Sequence, residues 1–225
     1  MRKLKLNSVV KNYIYQMLYQ IYVSIAPLIT APYISRVLKP QGIGIYSYAM
    51  TVAMYFALFS KLGIDNYGNR EIATVRNDKN KLNKVFSEIE ILHLMVSFVV
   101  AITYIFYAFF ICKENNQIAI VFSVNLVSDI LYLGWFFYGF ECFKLISIRN
   151  IVIKTMTIIA VFVFVKNEGD LYKYAVIVVS GNLISAGVMW LYLPRYVRFV
   201  KVSIGNVFKH LKHILLLFLP SVAVS

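Results

Sequence analysis

Residues 8–36 read SVVKNYIYQMLYQIYVSIAPLITAPYISR, an apolar run with a single lysine before its closing arginine. At 1.5 Å rise per residue, about 20 helical residues cross the roughly 30 Å hydrocarbon core of a bilayer, so this stretch is long enough to span one. The same run carries Asn12, Gln16, Gln20 and Ser24 at intervals of four. Each step of four turns a helical wheel by about 40°, which gathers the four polar residues within an arc of about 120°. Pro27 falls in that arc too. Something other than lipid must meet such a stripe, either another helix or a wet cavity.

Further apolar spans follow this first one (about 8–35), at about 42–63, 89–111, 118–140, 150–166 and 171–193, and a seventh opens at His213. The expected fold class is therefore all-α: a polytopic membrane bundle of six transmembrane helices plus the start of a seventh. Residues 1–212 make one six-helix lobe and 213–225 open a second. The last run covers only about 18 Å as a helix, so the sequence is expected to stop inside a span. Composition agrees, because 60% hydrophobic and 15% charged residues are far from the soluble norm of about 45–50% and about 25%.

A net charge of +13 raises the question of a nucleic-acid partner. Of the 23 Lys and Arg, however, 18 fall at the N-terminus and in alternate loops, and 5 on the opposite side. That asymmetry sets orientation, places the N-terminus in the cytoplasm, and excludes nucleic acid as partner. The basic N-terminus lacks the small-residue site of a cleavable signal peptide. Cys112 and Cys142 end successive spans on opposite faces and are not expected to form a disulfide. Residues 65–90 read as one or two short surface helices running into the third span. The outer loops at 113–117 and 166–170 leave no room for a folded domain.

Polar residues inside the spans are the candidates for function. Asp129 shares about one-third of span four with Asn125, Ser128 and Tyr132. A carboxylate in hydrocarbon costs roughly 2.5–3.5 kcal/mol even on the gentler insertion scale, so it needs a partner or water. Asp129 is either a proton- or sodium-responsive group in a transport path, or a fixed partner for a basic or hydroxyl side chain. Arg36 either lines a cavity toward an anionic substrate or snorkels to the headgroups. Pro27 and Pro32 are hinges or static kinks. Ser180, Gly181, Asn182, Ser185 and Gly187 form a small-residue face suited to helix contact. His93, with Ser97 and Tyr104, reads as packing, and His210 and His213 among lysines do not read as a metal site. No GxxxxGK[ST] or HExxH pattern occurs, so the chain is expected to hydrolyse no ATP, to be no enzyme, and to hold no cofactor beyond a coupling H+ or Na+.

Three segments carry a resemblance: PYISRVLKPQGIG at 32–44, LGIDNYGNREIA at 62–73, and Asp129 through WFFYGFE at 135–141. Together they resemble the N-terminal half of bacterial polysaccharide-repeat-unit flippases, in the multidrug/oligosaccharidyl-lipid/polysaccharide exporter superfamily, over essentially the whole chain. The resemblance implies two six-span lobes around a central cavity. It implies a polyprenyl-diphosphate-linked oligosaccharide moved from the cytoplasmic to the outer leaflet of the bacterial inner membrane by alternating access. Membrane lipids, a polysaccharide polymerase and glycosyltransferases are the implied neighbours. Asn12, Gln16, Gln20 and Arg36 then become substrate-binding residues and Asp129 the coupling residue. Pro27 and Pro32 become hinges, and Arg70 with Glu71 either a cytoplasmic gate pair or a simple helix-start ion pair. Pro220 offers a weak echo of Pro27 in a second lobe. The alternatives are a multidrug or cation antiporter of the same superfamily, a truncated scaffold that transports nothing, and a membrane polysaccharide polymerase. The five-residue outer loops argue against the polymerase.

Overall fold

The computed structural model describes residues 2–113 and 115–224, with side chains over 10–113 and 115–218. The described elements are all helical, and the molecule is a polytopic membrane helix bundle. Its first helix, α1 (Arg2–Lys61), is two passes in one: helical geometry breaks at Lys39, with φ 60° and ψ 168°. Pro40 accounts for the position of the break, since it has no N–H to continue the ladder and its ring disfavours α-region ψ in the residue before it. The break lies at Lys39–Pro40, whereas backbone angles stay helical through Pro27 and Pro32.

A short amphipathic helix α2 (Ile64–Val75) leads into α3 (Lys79–Phe106), which a π-helical turn extends to Ile111. Asp78 caps α3 by accepting from the backbone N–H groups of Asn80 and Lys81 at 3.1 Å each. Then follow α4 (Asn116–Ile130), the six-residue α5 (Gly134–Gly139), α6 (Phe143–Phe164), α7 (Leu171–Tyr192) and α8 (Ile204–Val224). These bounds correct the expected spans in three places. The continuous fourth span at 118–140 is broken at 131–133. The helix of the fifth span, α6, begins at Phe143 rather than near 150, and that of the seventh span, α8, at Ile204 rather than His213. The reason is common to the last two: hydropathy ends a span where polar residues begin, but a helix runs on through residues that face water or a cavity. The side chain of Pro220 lies outside the described residues, so its echo of Pro27 has no structural counterpart here.

The first arm of α1 packs on α6, through Tyr22 Oη to Thr155 Oγ1 at 2.8 Å and Tyr33 Oη donating to the Val165 carbonyl at 2.7 Å. The second arm packs on α3 and α4, α4 on α7, and α6 on α7. Two apolar cores result, one centred on Leu38, Tyr104 and Phe122 and the other on Phe86, Trp135 and Phe136. Large side chains such as Leu28, Phe110, Met156 and Leu191 remain exposed, as the lipid-facing surface of a bundle requires.

The segments that carried the resemblance sit at joints between helices. A Cβ on Gly68 would overlap the Trp135 ring, so only glycine lets α2 lie against α5 there. Gly63 adopts φ 79°, and a Cβ on it would come within 3.0 Å of the Phe218 backbone in α8. Glu141 pairs with Arg76 at 2.7 Å across the same joint. The small-residue face of α7 is a helix contact at Gly181, against Thr157 of α6. No disulfide joins Cys112 and Cys142.

Candidate functional site

A cavity of about 640 Å³ opens between the second arm of α1, the broken α4–α5 corner, and the facing halves of α6 and α7. That volume is in the range of small-molecule sites. Its wall mixes apolar residues with Lys61, Asn125, Asp129, Arg149, Asn182 and Ser185. It lies toward the end of the bundle where α1 stops and α6 starts.

Each polar group is placed by a distinct local cause. Lys61 is the last residue of α1, where Leu62 and Gly63 turn the chain with positive φ. Its ammonium stands 3.4 Å from Asp129 Oδ1 and 4.4 Å from the Tyr132 ring centre. Asp129 is the penultimate residue of α4, just before the unwound residues 131–133, and its second oxygen has no hydrogen-bond partner among the described residues. The carbonyl of Leu131, released by that unwinding, accepts from Trp190 Nε1 at 2.9 Å. Broken helices at membrane depth are tolerated where the freed backbone is met in this way.

Arg149 lies within α6 and turns into the cavity. It donates to the Ser185 carbonyl at 2.8 Å and to Asn150 Oδ1. No acidic side chain pairs with it among the described residues. Asn182 donates to Asn125 Oδ1 at 2.8 Å, tying α7 to α4 across the wall. The cavity therefore has two cations against one carboxylate, and the carboxylate is already opposed by Lys61.

Of the residues singled out from the sequence, Asp129 lines this cavity together with Asn125, Ser128 and Tyr132 of its own face and Asn182 and Ser185 of α7; Asn12, Gln16, Gln20 and Arg36 are not among its lining residues. Asn12 is half-buried and donates to the Glu141 carbonyl at 3.5 Å, while Gln16, Gln20 and Arg36 are exposed. From the first arm of α1, Tyr19 and Val23 line a smaller groove of about 180 Å³ with Lys154, and that groove shares Asn150, Asn182 and Ser185 with the main cavity. Pro27 and Pro32 are exposed. Arg70 is exposed and Glu71 half-buried on α2, and no described ion pair joins them. His210 bridges Tyr67, at 2.6 Å, and Glu88, at 3.1 Å. No group of three or more His, Cys, Asp or Glu is placed to hold a metal among the described residues.

Sequence reasoning missed Lys61 and Arg149, which it counted as loop cations that set orientation. A signal was present: Arg149 precedes Asn150 and is followed four residues later by apolar Ile153, a spacing that fits helix as readily as loop.

The sequence pattern of the family described as "Polysaccharide biosynthesis protein" matches residues 9–225. A protein of Escherichia coli (strain K12) bearing the name "Putative O-antigen transporter" is 26% identical over 221 residues, which is 96% of this chain and 53% of that protein. The chain thus spans about half the length of the curated relative it matches. No solved structure matches the chain.

Proposed function

Because the chain belongs to the polysaccharide biosynthesis protein family, we propose that it forms the N-terminal lobe of a flippase for polyprenyl-diphosphate-linked oligosaccharides. The cargo moves from the cytoplasmic to the outer leaflet of the bacterial inner membrane by alternating access. The observation that carries this reading is Arg149: a guanidinium inside the bundle whose acceptors are all neutral keeps its positive charge available. With Lys61 on the facing wall it suits a diphosphate, which a planar guanidinium binds through paired hydrogen bonds. The amide and hydroxyl groups of Asn125, Asn182 and Ser185 suit sugar hydroxyls, and the apolar tail stays in lipid, which avoids drawing polar groups through hydrocarbon. A cytoplasmic N-terminus places this cavity on the side where the cargo is made. Taking Lys61, Arg149 and Lys154 out of the 18 former loop cations still leaves 15 against 5.

The multidrug alternative fits less well, since a cationic drug would meet two cations and a carboxylate already engaged at 3.4 Å. The test is leaflet translocation of a lipid-linked oligosaccharide by the full-length protein in proteoliposomes. Arg149→Ala is expected to cut the rate at least about 100-fold, the loss of a charge-assisted contact of about 3 kcal/mol, and Arg149→Lys to recover only part of it. Normal translocation by Arg149→Ala at normal protein levels removes this residue from the mechanism. Arg36→Ala, tested beside it, decides whether the outer arginine also takes part.

A further inference from the structure

The joint between α7 and α8 presents two unlike sides. After a tight turn at Leu193–Arg195, residues 196–203 run without regular structure into the first turn of α8. Its inner side is fixed to the bundle. The backbone N–H of Arg198 donates to Asn83 Oδ1 and that of Val200 to Ser87 Oγ, each at 3.0 Å, so this backbone lies along α3. Val197, Val207 and Ile214 are buried, and His210 ties α8 to α2 and α3 through Tyr67 and Glu88.

The outer side is cationic and apolar at once. Arg195, Arg198, Lys201, Lys209 and Lys212 are all exposed, and residues 171–225 contain no Asp or Glu. Among the described residues no carboxylate pairs with any of the five; Arg195 rests on the Tyr192 ring at 5.2 Å, and Lys209 donates to Asn206 Oδ1. Between these charges Phe199, Ile204 and Phe208 stay 49%, 69% and 47% exposed. On the α8 wheel Phe208 and Leu215 fall within about 40° of Ile204, with Lys212 and Lys209 beside them at about 80° and about 140°. Buried Val207 and Ile214 lie on the other flank of that apolar strip. Water satisfies the cations but not the rings, and an acidic protein surface does no better. A phospholipid interface meets both, through its headgroups and the start of its acyl chains. The position agrees: a membrane-spanning helix ends at Arg195, and the apolar run ILLLF resumes at 214, which holds the patch at headgroup height.

We propose that the α7–α8 joint is a binding surface for anionic phospholipid, in the leaflet at the end of the bundle where α1 stops. Headgroup phosphates are held among Lys201, Lys209 and Lys212, while Ile204 and Phe208 enter the upper acyl region. None of the five cations lines the cavity, so the inference stands apart from the flippase reading.

The experiment uses the full-length protein in nanodiscs of equal phosphatidylglycerol and phosphatidylcholine, with Gly205→p-benzoylphenylalanine as a photocross-linker. Gly205 falls between Lys212 and Lys209 on the wheel, and a Cβ built there meets nothing closer than Ser203 Oγ at 3.8 Å. One cation at an anionic interface is worth about 5-fold in preference, so two acting in full give about 25-fold, which salt lowers to about 10-fold. Irradiation and mass spectrometry are expected to find about 10 phosphatidylglycerol adducts for each phosphatidylcholine adduct. Lys201→Gln with Lys209→Gln and Lys212→Gln is expected to bring that ratio below about 3, and arginine at the same three positions to keep it. Arg70→Gln with Lys79→Gln and Lys144→Gln removes equal charge from exposed residues at the same end and is expected to leave the ratio within about 2-fold. Equal capture of the two lipids by the chain carrying only the cross-linker overturns the proposal. So does equal loss in the two glutamine variants, which reduces the effect to the overall charge of that end. Adducts to the protein's own chain in place of lipid overturn it too, because they show that protein covers this face.

Discussion

Exchanging Lys61 for methionine tests the electrostatics of the cavity wall most directly. The Lys61 and Asp129 side chains are 31% and 11% exposed and their charged atoms 3.4 Å apart. Coulomb attraction at that distance is about 5 kcal/mol at an effective dielectric constant near 20. Lys61 keeps a third of its surface, so the share that survives solvation is about 2 kcal/mol. Lys61→Met strands the buried carboxylate and is expected to cost about 3 kcal/mol, at the lower end of losses from broken buried pairs. Asp129→Asn leaves a lysine that reaches water, and about 1 kcal/mol is expected. The double variant is expected to lose about 2 kcal/mol, less than the sum of the two, giving a coupling of about 2 kcal/mol. Equilibrium unfolding in mixed micelles, followed by the fluorescence of the two tryptophans, measures all three. Additivity within about 0.5 kcal/mol would refute the reasoning, because it would mean that the two charges do not sense each other.

Gly68→Ala forces a methyl against the Trp135 ring and is expected to lower stability by about 1–3 kcal/mol, visible as an earlier unfolding midpoint. Arg76→Ala removes a pair with 30% and 47% exposed side chains and is expected to change stability by less than about 1 kcal/mol in the same assay. The backbone N–H of Lys81, aided by the Lys81 ammonium, holds the Asp78 carboxyl below the usual carboxylate range. Its contribution is therefore full above the unfolded value near 4 and is lost as pH falls through the lower folded value. Hydrogen exchange at the start of α3 is expected to quicken on acidification and in Asp78→Ala at neutral pH, and the variant is expected to show no further acid response from this cap.

The all-helical, polytopic membrane character of the fold was legible in the chain, because burying a helix in lipid demands long apolar runs. The breaks were less visible. Pro40 marked the turn at Lys39, but nothing local announced the unwinding at 131–133, which depends on Trp190, 59 residues away, reaching the Leu131 carbonyl. The polar stripe of Asn12, Gln16 and Gln20 was correctly seen as a stripe, yet a helical wheel states which residues share a face and not what that face meets. Asp129 declared itself by being a carboxylate among apolar neighbours. Lys61 and Arg149 hid because a cation near a span end looks the same whether it faces the headgroups or the bundle. Only the packing of α6 on α7, and of α1 on α4, turned those two inward, since charge pattern is a property of the chain and a cavity is a property of the space between helices.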